Sequence, residues 1–297
     1  MSRKRPVPDG TVVDAGLLRG WPLPEPGSDK EERGRLLVVA GSRETPGAGL
    51  LAVEAAFRVG AGKVQLATAR SCAASLAVVA PELRVIGLAE DEAGNIEPDE
   101  AGRVLDRARG SSAVLLGPGF MDPACAAVLV GRLLPRLQGT VVLDALASAY
   151  VTGGPERVGD LDATVVLTLN PAELAHCLDI DADKVQADLE TYAAALAHRT
   201  RAVVLCGGST KVVAHGDDLW RVEAGNSGLG TAGSGDVQSG LVTGLLARGA
   251  EPVQAAVWGA FLHATSGDRL AERVGPVGYL ARDLAGEVPG LLAELSR

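Results

Sequence analysis

The sequence predicts an α/β fold with a central, mostly parallel sheet covered by helices on both faces. Three observations predict it. Short apolar runs alternate with segments of helical period at least six times along the chain. The runs are continuously apolar, as strands buried on both faces require. Glycine-rich loops follow several of them, at the strand ends where open α/β sheets bind ligands. Residues 35–297 read as one domain and residues 1–34 as a Pro-rich arm. The 47% hydrophobic content supports a large core, and with only 3% aromatics that core must be Val, Leu and Ala.

The arm carries Pro6, Pro8, Pro22, Pro24 and Pro26 and then a charged run from Asp29 to Arg33. This composition suits an extended segment that either wraps the body, lies between subunits or stays a partly ordered tail. Residues 35–40 are the first buried strand, followed by the loop Gly41 to Gly49, a helix over 50–59 and a strand over 63–69, a βαβ unit. Residues 84–88 form a further strand, and the acidic stretch 90–100 reads as solvated surface. The strand 113–116 runs into Gly117-Pro118-Gly119. The strand 140–143 ends in Asp144, and the strand 163–167 leads into Thr168-Leu169-Asn170-Pro171-Ala172-Glu173. The strand 202–205 enters Cys206-Gly207-Gly208-Ser209-Thr210. Residues 211–214 and 219–222 flank Gly216-Asp217-Asp218 as a hairpin. Helices over 252–270 and 279–295 close the chain, and His263 on the first reads as a packed core histidine.

Between hairpin and closing helices lies the most informative stretch, Gly225 to Asp236 (GNSGLGTAGSGD), followed by a helix over 237–249. Val237, Leu241, Val242, Leu245 and Leu246 give that helix one apolar stripe, and Gly249 stops it. A glycine loop feeding a helix N-terminus suits an anion, because free N–H groups and the helix dipole converge there. Asp236 has two readings on the residues alone, a helix cap or the acceptor of a hydroxyl proton beside a bound phosphate. A capping carboxylate needs no Gly-x-Gly before it, which favours the second. The motif is neither a P-loop, since no Lys follows the glycines, nor a dinucleotide fingerprint.

Gly-Asn-x-Gly-Leu-x-Thr-x-Gly-Ser-Gly-Asp-Val resembles the ribokinase-like superfamily, and within it is most similar to the NAD(P)H-hydrate dehydratases. The resemblance spans about residues 35–296. It implies a ribokinase-like three-layer fold. It also implies Ala48, Gly119, Asn170 and Asp236 at the substrate, and Ala232, Gly233, Ser234 and Gly235 as an anion hole. Cys206, Gly207, Gly208, Ser209, Thr210 and Gly235 fall at the nucleotide. Asp144 and Glu173 fall near Mg2+, through water, against plainer roles as an Asx-type loop residue and a helix cap. The chain departs from the family pattern at five places. Met121 stands for a Gly, Leu146 for an Asp, Leu169-Asn170 for Pro-His, Ala172 for a Gly, and Cys206 for a Lys. Asn170 keeps hydrogen bonding but cannot titrate near neutral pH. Cys206 removes a positive charge, and Lys211, on a strand with a different direction, is not assumed to replace it.

The activity so implied is hydration repair: removal of water from NADHX or NADPHX at the expense of ADP or ATP, with Asp236 as the proton acceptor. A second reading is a small-molecule kinase of the same superfamily, acting on a hydroxymethylpyrimidine, thiazole or sugar alcohol. A third is a nucleotide-binding protein without catalysis, motivated by Cys206, Asn170 and Leu146. The net charge of −9 argues against nonspecific nucleic-acid binding. Cys72, Cys125, Cys177 and Cys206 form no C-x-x-C pair, so neither a zinc site nor a disulfide framework is expected. Arg3, Lys4 and Arg5 are not followed by an apolar stretch, and no run approaches the roughly 20 apolar residues of a membrane span. A cytoplasmic enzyme is therefore expected, with the resemblance adding a homotetramer.

Overall fold

A computed structural model describes residues 10–208 and 210–297. In chain order the elements are β1 (Thr11–Val12), α1 (Ala15–Gly20), β2 (Arg35–Val39), α2 (Pro46–Arg58), β3 (Lys63–Ala69), α3 (Arg70–Val79) and β4 (Arg84–Leu88). Next come α4 (Ala101–Ala108), β5 (Ala113–Leu116), α5 (Pro123–Leu133), β6 (Thr140–Asp144), β7 (Thr164–Leu169), α6 (Pro171–Leu178), α7 (Ala182–Ala187) and α8 (Leu189–Thr200). The remainder are β8 (Val203–Cys206), β9 (Lys211–His215), β10 (Asp218–Val222), α9 (Ser234–Ala247), α10 (Pro252–Arg273) and α11 (Ala281–Leu295).

The strands form one sheet in the order β1-β10-β9-β8-β7-β6-β5-β2-β3-β4. Only β9 runs against the others. Successive residues of each strand feed opposite cores. Leu36 and Val38 of β2 join one cluster with α2, α9, α10 and α11, while Leu37 and Val39 join the other with α4, α5, α6 and α8. This is why the strands read as continuous apolar runs: the pleat sends each neighbour to a different buried face.

Helix α2 starts at Pro46, four residues before the expected start, because proline is tolerated at the first turn where its missing N–H is not needed. From residue 10 onward the arm is more ordered than its prolines suggest, while Pro6 and Pro8 lie outside the described residues. Asp14 accepts from the Leu17 N–H at 2.7 Å and so caps α1, whose Leu18 is fully buried. Trp21 stacks on Trp220 at 6.3 Å, and the Trp258 indole donates to the Trp21 carbonyl at 3.0 Å. The acidic stretch after β4 is not simply solvated. Ile96 is buried in the core, and Glu90 pairs with Arg43 at 2.8 Å while accepting from the Ser71 hydroxyl at 2.9 Å. Among the described residues no helix is long and apolar enough to cross a membrane.

The β2–β5 junction is the point where the strand order reverses. The loops after these two strands meet there. The Gly41 N–H donates to the Pro118 carbonyl at 2.7 Å, and the Thr45 hydroxyl donates to the Gly119 carbonyl at 2.7 Å. A crevice opens at such a reversal because adjacent connections leave to opposite faces.

Helices α2 and α9 pack at backbone distance in the same core, on one face of the sheet. A methyl group on Gly240 would lie 2.2 Å from the Ala52 carbonyl oxygen, and one on Gly244 2.7 Å from the Ala56 Cα. Gly240→Ala is expected to destabilise the protein by roughly 1–3 kcal/mol, since backbone rather than a side-chain tip must yield. Gly286→Ala on α11, where nothing lies within 4 Å of the new methyl, is expected to be neutral or stabilising. Thermal denaturation of both variants checks the contrast; an equally tolerant Gly240 would mean that α9 does not need this close approach.

Candidate active site

Helix α9 begins where the glycine loop ends, and its start is set by Gly233. That residue has φ +86°, and a Cβ there would lie 2.4 Å from Leu51 Cδ1. Only glycine meets both conditions. The helix has no side-chain cap. The Ser234 N–H bonds back to the Thr231 carbonyl at 3.2 Å, which leaves the Gly235 and Asp236 N–H groups without a partner among the described residues. Asp236 is therefore not a cap. Its carboxylate makes no hydrogen bond among the described residues and faces a cavity of about 850 Å³.

The glycine loop itself is tied down by Asp268 of α10. Its carboxylate accepts from the Gly225 N–H at 2.9 Å and from Asn226 Nδ2 at 3.0 Å. Asn226 Oδ1 accepts in turn from the Gly228 N–H and the Tyr279 hydroxyl, both at 2.9 Å. The Asn of the motif is thus a scaffold residue whose side chain is fully engaged.

Across the cavity stand the ends of β6 and β7. Asp144 is 6% exposed, and its Oδ1 accepts from the Thr168 hydroxyl at 2.7 Å. Ala145, which follows it, holds φ +48°, an uncommon left-handed backbone for a residue with a side chain. Asn170 and Glu173 form a reciprocal cap on α6, Glu173 N–H to Asn170 Oδ1 and Asn170 N–H to Glu173 Oε2, each at 2.9 Å. The cap occupies the Asn170 carbonyl oxygen and leaves its NH2 group to donate into the cavity. Glu173 combines its cap with a place in the cavity lining.

Three carboxylates thus share one poorly solvated space. Burial pushes the Asp236 pKa up to about 6, with the Glu173 charge adding to it. Burial also raises Asp144 well above the usual range, reinforced by Asp236 and Glu173. Glu173 is raised by burial against the pull of its Asn170 hydrogen bond. Each carboxylate is disfavoured as an anion here, the condition of a group poised to take a proton.

The cavity brings together Asp144, Asn170, Glu173, Gly207, Gly208, Gly233, Ser234, Gly235 and Asp236 of the sequence-predicted residues. Ala48 and Gly119 lie outside its lining but close to one another at the strand reversal, where a methyl on Gly119 would come within 2.8 Å of Ala48 Cβ. Ala232 faces a separate apolar groove along α2. Thr210 is not in the cavity lining, and Ser209 lies outside the described residues. Cys206 is fully buried in the α8-side core with its thiol pKa raised by burial. Its side chain is not offered to a ligand, because the last residue of β8 points to the other face of the sheet.

Among the lining residues to which the sequence reading assigned no site role, three are buried and polar. Lys211, Gln238 and Thr168 all line the cavity and are 5%, 5% and 2% exposed. Lys211, which the residues alone offered no ground to assume as a replacement for the family's lysine, lines the cavity. The available signal was a lysine in an otherwise apolar strand, whose every position up to Ala214 is buried. His263 is the packed core residue expected, with Nε2 2.9 Å from both the Ser234 hydroxyl and the Ser234 carbonyl.

The sequence model of the NAD(P)H-hydrate dehydratase family matches residues 36–290. The chain belongs to that family. It is 45% identical over 288 residues to the ADP-dependent (S)-NAD(P)H-hydrate dehydratase of Xanthomonas campestris, covering 96% of this chain and 97% of that protein. It is 37% identical to the bifunctional NAD(P)H-hydrate repair enzyme Nnr of Moorella thermoacetica, over 92% of this chain and 52% of that one. The chain therefore spans about half the length of that bifunctional family member. Among solved structures, the ADP/ATP-dependent NAD(P)H-hydrate dehydratase of Bacillus subtilis, co-crystallised with ATP/Mg2+, superposes with TM-score 0.83. At 24% identity over 97% of this chain and 99% of that one, it shows a shared fold.

Asp236 binds its proton more tightly in the folded protein than in the unfolded chain, so its charge opposes folding. The penalty is absent below about pH 4, grows as pH rises, and is complete above about pH 6. Asp236→Asn is therefore expected to be more stable than the parent near neutral pH by on the order of 1–3 kcal/mol, and equal to it below about pH 4. Denaturant titrations across that range measure the difference; a variant less stable than the parent at neutral pH would contradict the raised pKa.

Proposed function

We propose that this chain is an ADP- or ATP-dependent dehydratase that restores NADH or NADPH from the hydrated forms NADHX and NADPHX. The observation that carries the reading is the unpartnered Asp236 carboxylate beside two free N–H groups at the start of a buried helix. The family match directs that chemistry to the hydrated nicotinamide ring.

The ring hydroxyl is placed at Asp236, which removes its proton as the oxygen attacks the terminal phosphorus of the nucleotide. The N–H groups of Gly235 and Asp236 and the positive end of α9 accept the charge that shifts onto the phosphoryl oxygens. Nucleoside monophosphate leaves when the donor is ADP. The ring phosphate then departs with its bonding electrons, and loss of a ring proton restores the dihydronicotinamide. Asp144 and Thr168 hold the wall opposite, and the Asn170 NH2 group donates to the substrate in place of a titrating residue.

Mg2+ fits the donor set. Asp144 and Glu173 are hard oxygen donors, raised chiefly by burial and in Asp144 also by the neighbouring Asp236 and Glu173 charges, and a divalent cation would favour their charged forms. Among the described residues no group of three His, Cys, Asp or Glu is placed to hold a metal directly. Water-mediated holding by these two carboxylates, shared with nucleotide phosphates, is therefore the arrangement they support. When bound, the ion would neutralise phosphate charge during transfer. The homotetramer of the resemblance would cover the apolar groove between α2 and α3, lined by Leu50, Phe57 and Val79.

Absorbance of the reduced nicotinamide is expected to return when NADHX, Mg2+ and either ADP or ATP are mixed with the protein. Asp236→Asn should lower kcat by at least about 10²-fold. The parent rate should fall about tenfold per pH unit below about pH 6, as Asp236 takes up a proton, and the residual variant rate should lack that limb. A stable phosphorylated product would instead indicate a kinase, and nucleotide binding without turnover on either hydrate would indicate a non-catalytic binder.

A further inference from the structure

Among the described residues the cavity carries one ammonium group, and the chemistry above leaves it unused. Lys211 is the only Lys or Arg in the lining among the described residues. It is 5% exposed and has no hydrogen-bond or ion-pair partner among them. Burying an unpaired ammonium costs several kcal/mol, so such a group is retained where an anion will meet it.

The surroundings are laid out for an anion. Gly207 borders the Lys211 ammonium so closely that a methyl group there would lie 3.4 Å from Nζ and 3.7 Å from Gln238 Nε2. The glycine therefore leaves room between two buried polar tips. Gln238, on the first turns of α9, has a carbonyl oxygen with no partner, as does His263 Nδ1 behind it. His263 is kept neutral by burial and by the Lys211 charge. It donates from Nε2 to the Ser234 carbonyl, so it offers Lys211 no negative charge. Burial and the neighbouring Cys206 govern Lys211, and none of the three carboxylates acts on it appreciably. The cavity thus has an acidic end at Asp144, Glu173 and Asp236 and a basic end at Lys211.

We propose that Lys211, with the Gln238 amide beside Gly207, is the anchor for a phosphate group of the bound nucleotide, supplied from the opposite face of the sheet to Cys206. This rests on the nucleotide-dependent reading above. The same chemistry would hold a phosphate of the dinucleotide substrate, and the probes separate the two.

The test is calorimetric titration of the full chain with ADP, adenosine and NADPH. Lys211→Met is expected to weaken ADP at least about tenfold, the worth of one charge-assisted hydrogen bond, and to leave adenosine and NADPH within about twofold. Its melting temperature without ligand should not fall, because an unpaired buried charge has been removed; a merely structural lysine would lower it and weaken all three ligands alike. Gly207→Ala keeps the charge and fills the space beside it. It should also weaken ADP and spare adenosine, and it serves if Lys211→Met does not fold. Unchanged ADP affinity in these variants, or a loss confined to NADPH, overturns the assignment of Lys211 alone. A parent protein that binds no ADP overturns the nucleotide reading together with it.

Discussion

The site depends on the close seating of α9 against α2. Gly240 and Gly244 present bare backbone to Ala52 and Ala56, and the two helices approach nearer than any side chain at those positions would allow. That approach brings the N-terminus of α9 over the ends of the parallel strands. It also explains why position 233 must be glycine, since Leu51 of α2 occupies the space a side chain would need. Glycine loop, helix dipole and Asp236 are aimed by one packing contact. Asp268 and Tyr279 then hold the loop from the other side through Asn226.

The electrostatics follow from that geometry. Sealing α9 over β6 and β7 removes water from Asp144, Glu173 and Asp236 together, and each then resists ionisation. Lys211 is desolvated on the same account, its pKa lowered to about 8. Natural folds rarely leave four ionisable groups in such a state for stability alone. The cost is intelligible if the ligands bring the missing partners: a proton and a cation for the acidic end, a phosphate for the basic end.

Much of this was legible in the chain. The parallel sheet followed from continuous apolar runs, and the loop-to-helix junction at α9 from glycines set before a helix of apolar stripe. Glu173 showed its cap through its spacing from Asn170. Other features had no local signature. Cys206 occupies a motif position yet turns into the core, because successive strand residues face opposite sides and β8 ends on the far one. The start of α2 fell earlier than its apolar period indicates, since a first-turn proline reads as a break. The arm's order rests on Trp21, Trp220 and Trp258 meeting across more than two hundred residues of sequence.

Sequence alone determined the class of fold, the family and the glycine loop that ends in Asp236, because periodicity and short motifs are local properties of the chain. Tertiary structure decided how the cavity is charged. Whether a carboxylate is dry, whether a lysine has a partner and which loops share a crevice depend on neighbours distant in sequence. Three acids from β6, α6 and α9 and one lysine from β9 become a single site only once the sheet order has placed their strand ends side by side.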